Sequence, residues 1–267
     1  LEAAKKVGMQ CIAHSHSSNS NFNKLTKTLH TINKKRLNKL ADVRLACSDA
    51  AGHFIFGNSN FEVIKNGIDT EKFSFNHAYR DEIRREFDIG DRFTLCHVGM
   101  FAPVKNHEFL IDIFASVVKK HQDSVLLLVG TGSEEEKIRE KVSGLGLSKK
   151  VIFAGRRTDV EKIMSAADAF VLPSHFEGLP LVLVEAQSSG LNCFVSDAVP
   201  EEAKLLDNFE FIPLDIGAEA WADRILSAAL NTDRASASAV VAAAGYDCKL
   251  TAARIEEIYS QQIALCL

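Results

Sequence analysis

The chain predicts an α/β fold built on a parallel, doubly wound sheet, and three observations carry that prediction. Short apolar runs alternate with amphipathic helical stretches from Phe93 to about Leu230, the rhythm of βα units whose strands are covered on both faces. Glycine follows two of these runs directly, at Gly99 and at Gly130-Thr131-Gly132, where a strand must turn tightly into the next helix. The region before Phe73 offers too few strand candidates for a full sheet of its own. The expected plan is therefore one complete domain at about 71–240, a partial one at 1–70, and a terminal helix within 241–267.

Taken in order, Leu1 to Gly8 reads as the tail of a helix and Gln10 to Ala13 as a strand. His14-Ser15-His16-Ser17-Ser18 and the polar tract 19–23 read as loop. Leu25, Leu29, Ile32, Leu37 and Leu40 recur at helical spacing over 24–41. Arg44 to Cys47 is a short strand, and Ser48 is an N-cap for the helix after it. Phe61 to Ile64 is another strand, ended by the turn Asn66-Gly67-Ile68-Asp69. Residues 70–76 have linker character and 78–87 form a charged surface helix.

The regular alternation then begins. Strand Thr94–Val98 leads to a helix over 106–121, with Phe109, Leu110, Ile113, Phe114, Val117 and Val118 as its buried stripe. Strand Val125–Val129 precedes a helix capped by Ser133, and strand Val151–Phe153 precedes one at 160–166. Strand Ala169–Leu172 precedes the helix Pro180–Ser189. Strand Cys193–Val195 leads to a helix at 201–206, and strand Phe209–Ile212 to one at 218–230. A last helix covers 249–265 and need not pack on the larger domain.

Composition excludes several classes of function. A hydrophobic fraction of 46% and a charged fraction of 25% are ordinary for a water-exposed globular chain. A net charge of −4 advertises no basic face for nucleic acid. No apolar run approaches the ~20 residues of a membrane span, and no signal peptide is evident. The six cysteines are scattered without close pairs, so they read as buried, reduced thiols of a cytoplasmic protein. No carboxylate or histidine cluster has metal-ligand spacing. The chain opens on Leu1, in the tail of a helix, and reads as a piece of something longer.

The most informative segment is Ser174 to Ala186. It holds Glu177 and Glu185, separated by Gly178-Leu179-Pro180 and an apolar run, directly after the strand at 169–172. That order places one carboxylate in a loop and one on the helix that follows. A helix N-terminus offers unpaired N–H groups and partial positive charge to phosphate, while carboxylates accept hydrogen bonds from sugar hydroxyls. Together they suit a sugar joined to a nucleotide diphosphate.

With these residues in place the chain resembles the retaining glycosyltransferases of group 1 (family 4), which have the GT-B fold. The Glu177/Glu185 pair is similar to that family's Glu-x7-Glu motif. Val98-Gly99-Met100-Phe101 through Lys105-Asn106-His107 resembles its Gly-Arg…Lys-Asn phosphate segment, and Val63 to Asp69 its interdomain turn. Ile12 to Ser17 is similar to a first-domain segment of capsular and exopolysaccharide transferases. The resemblance covers nearly the whole chain and implies that about a hundred residues of the first, acceptor-binding domain are absent.

The resemblance also implies roles. Lys105, with Gly99, Asn106 and the backbone of Gly130 and Gly132, would hold the diphosphate. Glu177 would touch the donor sugar's hydroxyls, and Gly178, Leu179 and Pro180 would lend backbone to the phosphates. Glu185 would accept from the ribose. His16 would be a first-domain histidine facing the sugar. Met100 stands where the family has arginine, and Arg156 or Arg157 could compensate, although the family uses that loop more for the base. The implied substrates are a nucleotide sugar, chiefly a UDP-sugar, and a glycan or lipid-linked acceptor. No metal or other cofactor is implied, and the protein would be cytoplasmic or peripheral at the inner face of the membrane. The alternative is a nucleotide-sugar-binding module without turnover. The strands near Cys11 and Leu45 are expected to lack sheet partners and to leave an open edge that seeks a second copy.

Overall fold

The computed structural model describes residues 1–17, 24–230 and 233–264, and of residues 24–28 the backbone alone. The expected loop over 19–23, the side chain of Leu25 and the thiol of Cys266 lie outside the described residues. The chain divides into two units, Leu1–Gly67 with Gly245–Leu267, and Ile68–Ala244.

The first unit opens with α1 (Glu2–Lys6), β1 (Ile12–Ser15), α2 (Lys24–Leu40), β2 (Val43–Ala46), α3 (Asp49–Phe56) and β3 (Glu62–Val63). Its three strands are parallel in the order β1-β2-β3, with Ile12 opposite Val43 and Leu45 opposite Glu62. Leu45 therefore sits on a strand paired on both sides, contrary to the expectation of an unpartnered strand there. Among the described residues β1 and β3 form the two edges of this sheet. Ser48 caps α3 as its residue type predicts, its hydroxyl accepting from the Ala51 amide at 3.2 Å.

The second unit carries α4 (His77–Glu86), β4 (Phe93–Val98), α5 (His107–Lys120), β5 (Ser124–Val129), α6 (Glu135–Gly144), β6 (Val151–Gly155), α7 (Val160–Ala166), β7 (Ala169–Leu172), α8 (Leu181–Ser188), β8 (Asn192–Ser196), β9 (Phe209–Ile212), α9 (Gly217–Ser227) and α10 (Ala237–Val241). All six strands are parallel in the order β6-β5-β4-β7-β8-β9. The chain winds outward from β4 on one side and from β7 on the other. The order thus reverses between β4 and β7, which opens a crevice beyond their carboxyl ends. Leu110, Phe114, Trp221 and Ile225 of α5 and α9 pack on one face against Leu95, Leu126 and Val171. Each such side chain contributes about 1.5–3 kcal/mol of burial.

Helix α11 (Cys248–Ala264) belongs to the first unit, where Ile258 packs with Leu45 and Ile64. Gly67 is needed there, because a Cβ on it would lie 2.6 Å from the Cys248 backbone at the start of α11.

Several local expectations are corrected. Ser133 caps nothing. Helix α6 begins at Glu135, and the Glu134 amide donates instead to the Phe101 carbonyl at 3.0 Å. Residues 201–206 make only a single 3-10 turn at Glu201–Ala203, because Gln187 draws the Leu205 and Leu206 amides onto its own carbonyl. Pro180 precedes α8 as its N-cap instead of entering its first turn. On α5, Ile111 is fully buried while Phe109 and Val118 are only partly so.

Residues 68–76 belong to the larger unit instead of linking two; the Thr70 carbonyl accepts from Ser188 at 3.2 Å. Helix α4 is no simple surface helix either, since its face hides Ile83 and Arg84. Asp168 accepts from Arg84 at 2.9 Å, Arg80 at 2.7 Å and the Thr94 amide at 2.8 Å. A buried guanidinium demands such a partner.

Candidate functional site

Two loops leave the sheet at the β4/β7 reversal, and both carry the residues singled out from the sequence. The loop after β4 runs from Gly99 to Asn106. It lies so close to the loop after β5 that side chains are excluded: a Cβ on Gly130 would stand 2.0 Å from the Gly99 carbonyl oxygen, and one on Gly132 would stand 2.4 Å from that of Phe101. Gly130 also takes φ 138°, which disfavours any other residue. These two glycines thus have a packing reason to exist, independent of any phosphate. Asn106 adopts a left-handed conformation, φ 56° and ψ 45°, between a 3-10 turn at Pro103–Lys105 and α5. Asparagine tolerates that region better than most residues.

The loop after β7 runs from Pro173 to Pro180. The structure joins the two loops twice. The His175 amide donates to the Val104 carbonyl at 2.8 Å, and Lys105 Nζ donates to Glu177 Oε1 at 2.7 Å. The lysine side chain is 19% exposed and the glutamate 10%, so the pair is shielded although it faces the crevice. Residues 72 apart in sequence are thereby brought into one charge pair. Behind Glu177, α8 starts after Pro180 with no side-chain cap. The Leu183 amide turns back onto the Pro180 carbonyl at 2.9 Å, which leaves the amides of Leu181 and Val182 and the partial positive charge of the helix start to an approaching anion.

Glu185 lies one turn into α8, half-buried. Burial pushes its carboxyl up to about 7; Lys72 opposes that rise and Glu161 adds to it. Lys72 and Glu161 are themselves an ion pair at 3.3 Å. The sequence gives no pattern that would single these two out, because they join Glu185 only through the fold. No side-chain hydrogen bond reaches Glu185 among the described residues, so its acceptor oxygens remain open.

The remaining positions fall as follows. Met100 is 64% exposed and offers no donor. Gly178 stands in open space, and Leu179 precedes Pro180 in the same loop. Arg157 is engaged by Glu86 at 2.6 Å and by Asp159 at 2.8 Å. Arg156, beside it at the end of β6, is exposed and has no ion pair among the described residues. His16 follows β1 in the other unit, where its Nδ1 lies 3.1 Å from Asn66 Oδ1 and its ring 4.1 Å from that of His14. Among the described residues no group of three or more His, Cys, Asp or Glu could hold a metal ion. Cys11, Cys47, Cys96 and Cys193 are buried, and the described residues contain no disulfide. No helix among the described residues is long and apolar enough to cross a membrane.

Two further residues lie beneath this site: His107, which closes the Lys105-Asn106-His107 segment already singled out, and His97, which the sequence reading did not assign to the site. His97 and His107 are buried with ring centroids 4.6 Å apart. His107 directly follows Lys105-Asn106, and that adjacency was the one available signal.

Comparison with known proteins places this geometry. Residues 79–242 match the family model described as glycosyl transferases group 1. The EpsF protein of Bacillus subtilis, named as a glycosyltransferase, is 32% identical over 270 residues, covering 97% of this chain and 70% of that protein. The UDP-Gal:alpha-D-GlcNAc-diphosphoundecaprenol alpha-1,3-galactosyltransferase of Escherichia coli is 35% identical over 141 residues, covering 51% of this chain and 36% of its own length. Among solved structures, Anabaena HepE in complex with UDP superposes with a TM-score of 0.79 at 22% identity, covering 97% of this chain and 74% of HepE. Sucrose-phosphate synthase from Thermosynechococcus elongatus gives 0.72 at 21% identity, covering 99% and 70%. The shared fold is GT-B, with Rossmann-like units.

Proposed function

We propose that this chain, which belongs to the group 1 glycosyl transferases, moves a sugar, with retention, from a UDP-linked donor to a glycan or lipid-linked acceptor during polysaccharide assembly. The observation that carries this reading is the Lys105–Glu177 pair at the β4/β7 crevice, next to the uncapped start of α8. The name of the Escherichia coli relative supports a UDP-sugar donor and a lipid-diphosphate acceptor, and HepE was crystallised with UDP.

In this reading the donor's diphosphate lies against the α8 N-terminus and displaces Glu177 from Lys105. Lys105 then serves the phosphate oxygens, and Glu177 is freed to accept from hydroxyls of the sugar. The bond from the anomeric carbon to the phosphate oxygen breaks with its electron pair left on that oxygen, the acceptor's hydroxyl oxygen forms the new bond to the same carbon on the same face, and its proton passes to the departing phosphate. That developing charge is what the ammonium and the helix start stabilise. Glu185 accepts from the ribose hydroxyls in its ionised form, and Arg156 supplies a further positive group toward the nucleotide. The reaction belongs on the cytoplasmic face, where a lipid-linked acceptor and a soluble donor can meet.

The exposed thioether of Met100 favours a second reading, a module that binds nucleotide sugar without turning it over. An arginine there would have added a charge-assisted contact of about 1.5–3 kcal/mol. Calorimetric titration with UDP, GDP and UDP-sugars, followed by assays of donor hydrolysis and transfer, separates the two. Binding with turnover supports the enzyme, binding without it supports the module, and no binding by any nucleotide removes both.

A further inference from the structure

We propose that His97 is a positioning residue for this site, a neutral imidazole strut that sets the gap between the loop of Lys105 and the loop of Glu177. The inference rests on the donor-binding reading for its consequence, though not for its geometry.

Strands β4 and β7 are paired at Leu95 with Ala169 and at Cys96 with Phe170, and there the ladder ends. Beyond it the two strands feed the two loops of the site. At the first position past the ladder, the His97 side chain takes over the connection, with Nδ1 2.8 Å from the Val171 carbonyl oxygen. A carbonyl can only accept, so Nδ1 carries the proton and Nε2 is a bare lone pair.

That Nε2 has no partner among the described residues. It points at the next loop residue but one, since a Cβ on Gly99 would stand 3.0 Å from it. The Cδ and Cε atoms of Lys105 lie 3.6 Å from the same point. The imidazole and the stem of Lys105 therefore both border the space that a side chain on Gly99 would fill.

His107 closes the arrangement from the start of α5, edge-on to His97 and stacked on Phe101 at 4.3 Å. Burial, reinforced by His107, holds His97 well below the usual imidazole range, and burial with the Lys105 charge brings His107 down to about 4. Neither ring takes a second proton near neutrality, so both stay neutral under the lysine. The two loops are thus joined above by Lys105–Glu177 and His175–Val104, and below by His97–Val171.

Two substitutions separate this role from simple packing. His97→Phe keeps the ring and removes the Nδ1 donor, whereas His97→Asn places an amide N–H where Nδ1 was and gives up ring volume. In the Phe variant UDP should bind about tenfold more weakly, and the amides of residues 99–102, 104 and 105 should exchange about tenfold faster, since one buried hydrogen bond is lost. The Asn variant should melt lower yet bind UDP within about threefold of the original. Packing alone predicts the opposite order, with affinity following melting temperature.

A folded Phe variant with unchanged UDP affinity and unchanged exchange overturns the proposal. So does a nitrogen-15 spectrum of the unmodified protein showing the Nε2–H tautomer of His97, a readout that holds even where the Phe variant fails to fold. If the unmodified protein fails to bind UDP, the donor reading falls, while exchange and tautomer still decide the strut.

Discussion

Replacing Glu185 with glutamine should make the larger unit more stable at alkaline pH while weakening its hold on UDP. The folded carboxyl titrates at about 7, against 4.5 for an unhindered glutamate, with burial as the main cause. At 1.36 kcal/mol per pKa unit, this gap of roughly 2.5 units corresponds to about 3 kcal/mol. The sign follows from a pKa raised by folding. The associated stability is fully present below pH 4.5 and is lost as pH rises through 7, because the folded state then surrenders a proton it holds better than the unfolded chain does. Glutamine mimics the protonated form and cannot titrate. Variant and original should therefore be equally stable near pH 4.5 and diverge to about 3 kcal/mol at pH 8, a difference of about 6–12 °C in melting temperature for a unit of this size. Thermal and urea unfolding at several pH values between 4.5 and 8 measure the divergence. A stability difference that stays constant across that range would refute the reasoning, since a constant offset cannot come from a group titrating near 7. Such a carboxylate, held in a place that costs stability, is what a ligand-binding role would leave behind.

Other consequences are open to direct measurement. UDP affinity should itself rise with pH and level off above about 7, because ionised Glu185 is the stronger acceptor for ribose hydroxyls; calorimetry with a flat profile from pH 5.5 to 8 would exclude that contact. Lys105→Ala should weaken UDP by roughly tenfold to a hundredfold, the worth of a charge-assisted hydrogen bond, and an unaltered dissociation constant would release Lys105 from the diphosphate. Met100→Arg should tighten UDP by about tenfold, and no change would dispose of the argument about that position. Asp168→Ala strands the buried guanidinium of Arg84 and should cost about 3–5 kcal/mol in urea unfolding, whereas a loss below about 1 kcal/mol would mean the network contributes little.

Much of the fold could be read from the chain because its signals are local. Alternating apolar runs located each strand of the described residues to within a residue or two, and Ser48 announced α3 through a hydroxyl three residues from the amide it caps. Expectations failed where a distant partner intervened. Residues 201–206 have helical composition, yet Gln187 takes two of their amides and leaves one 3-10 turn. The charges of α4 looked solvated until Asp168 folded against them. Gly130 and Gly132 look like a turn or a phosphate loop, and only the approach of the 99–101 backbone explains why neither tolerates a side chain.

The candidate site divides along the same line. By itself the sequence determined the α/β architecture, the glutamate loop and the family, because periodicity and motif spacing are properties of neighbouring residues. Only the tertiary structure decided that Lys105 meets Glu177, that Arg157 is already engaged while Arg156 is not, and that Glu185 is half-buried beside Lys72 and Glu161. It also set His97 at the point where two strands part company. Ion pairing, burial and the distance between loops depend on which elements the sheet order brings together, and that order exists only once the chain has folded.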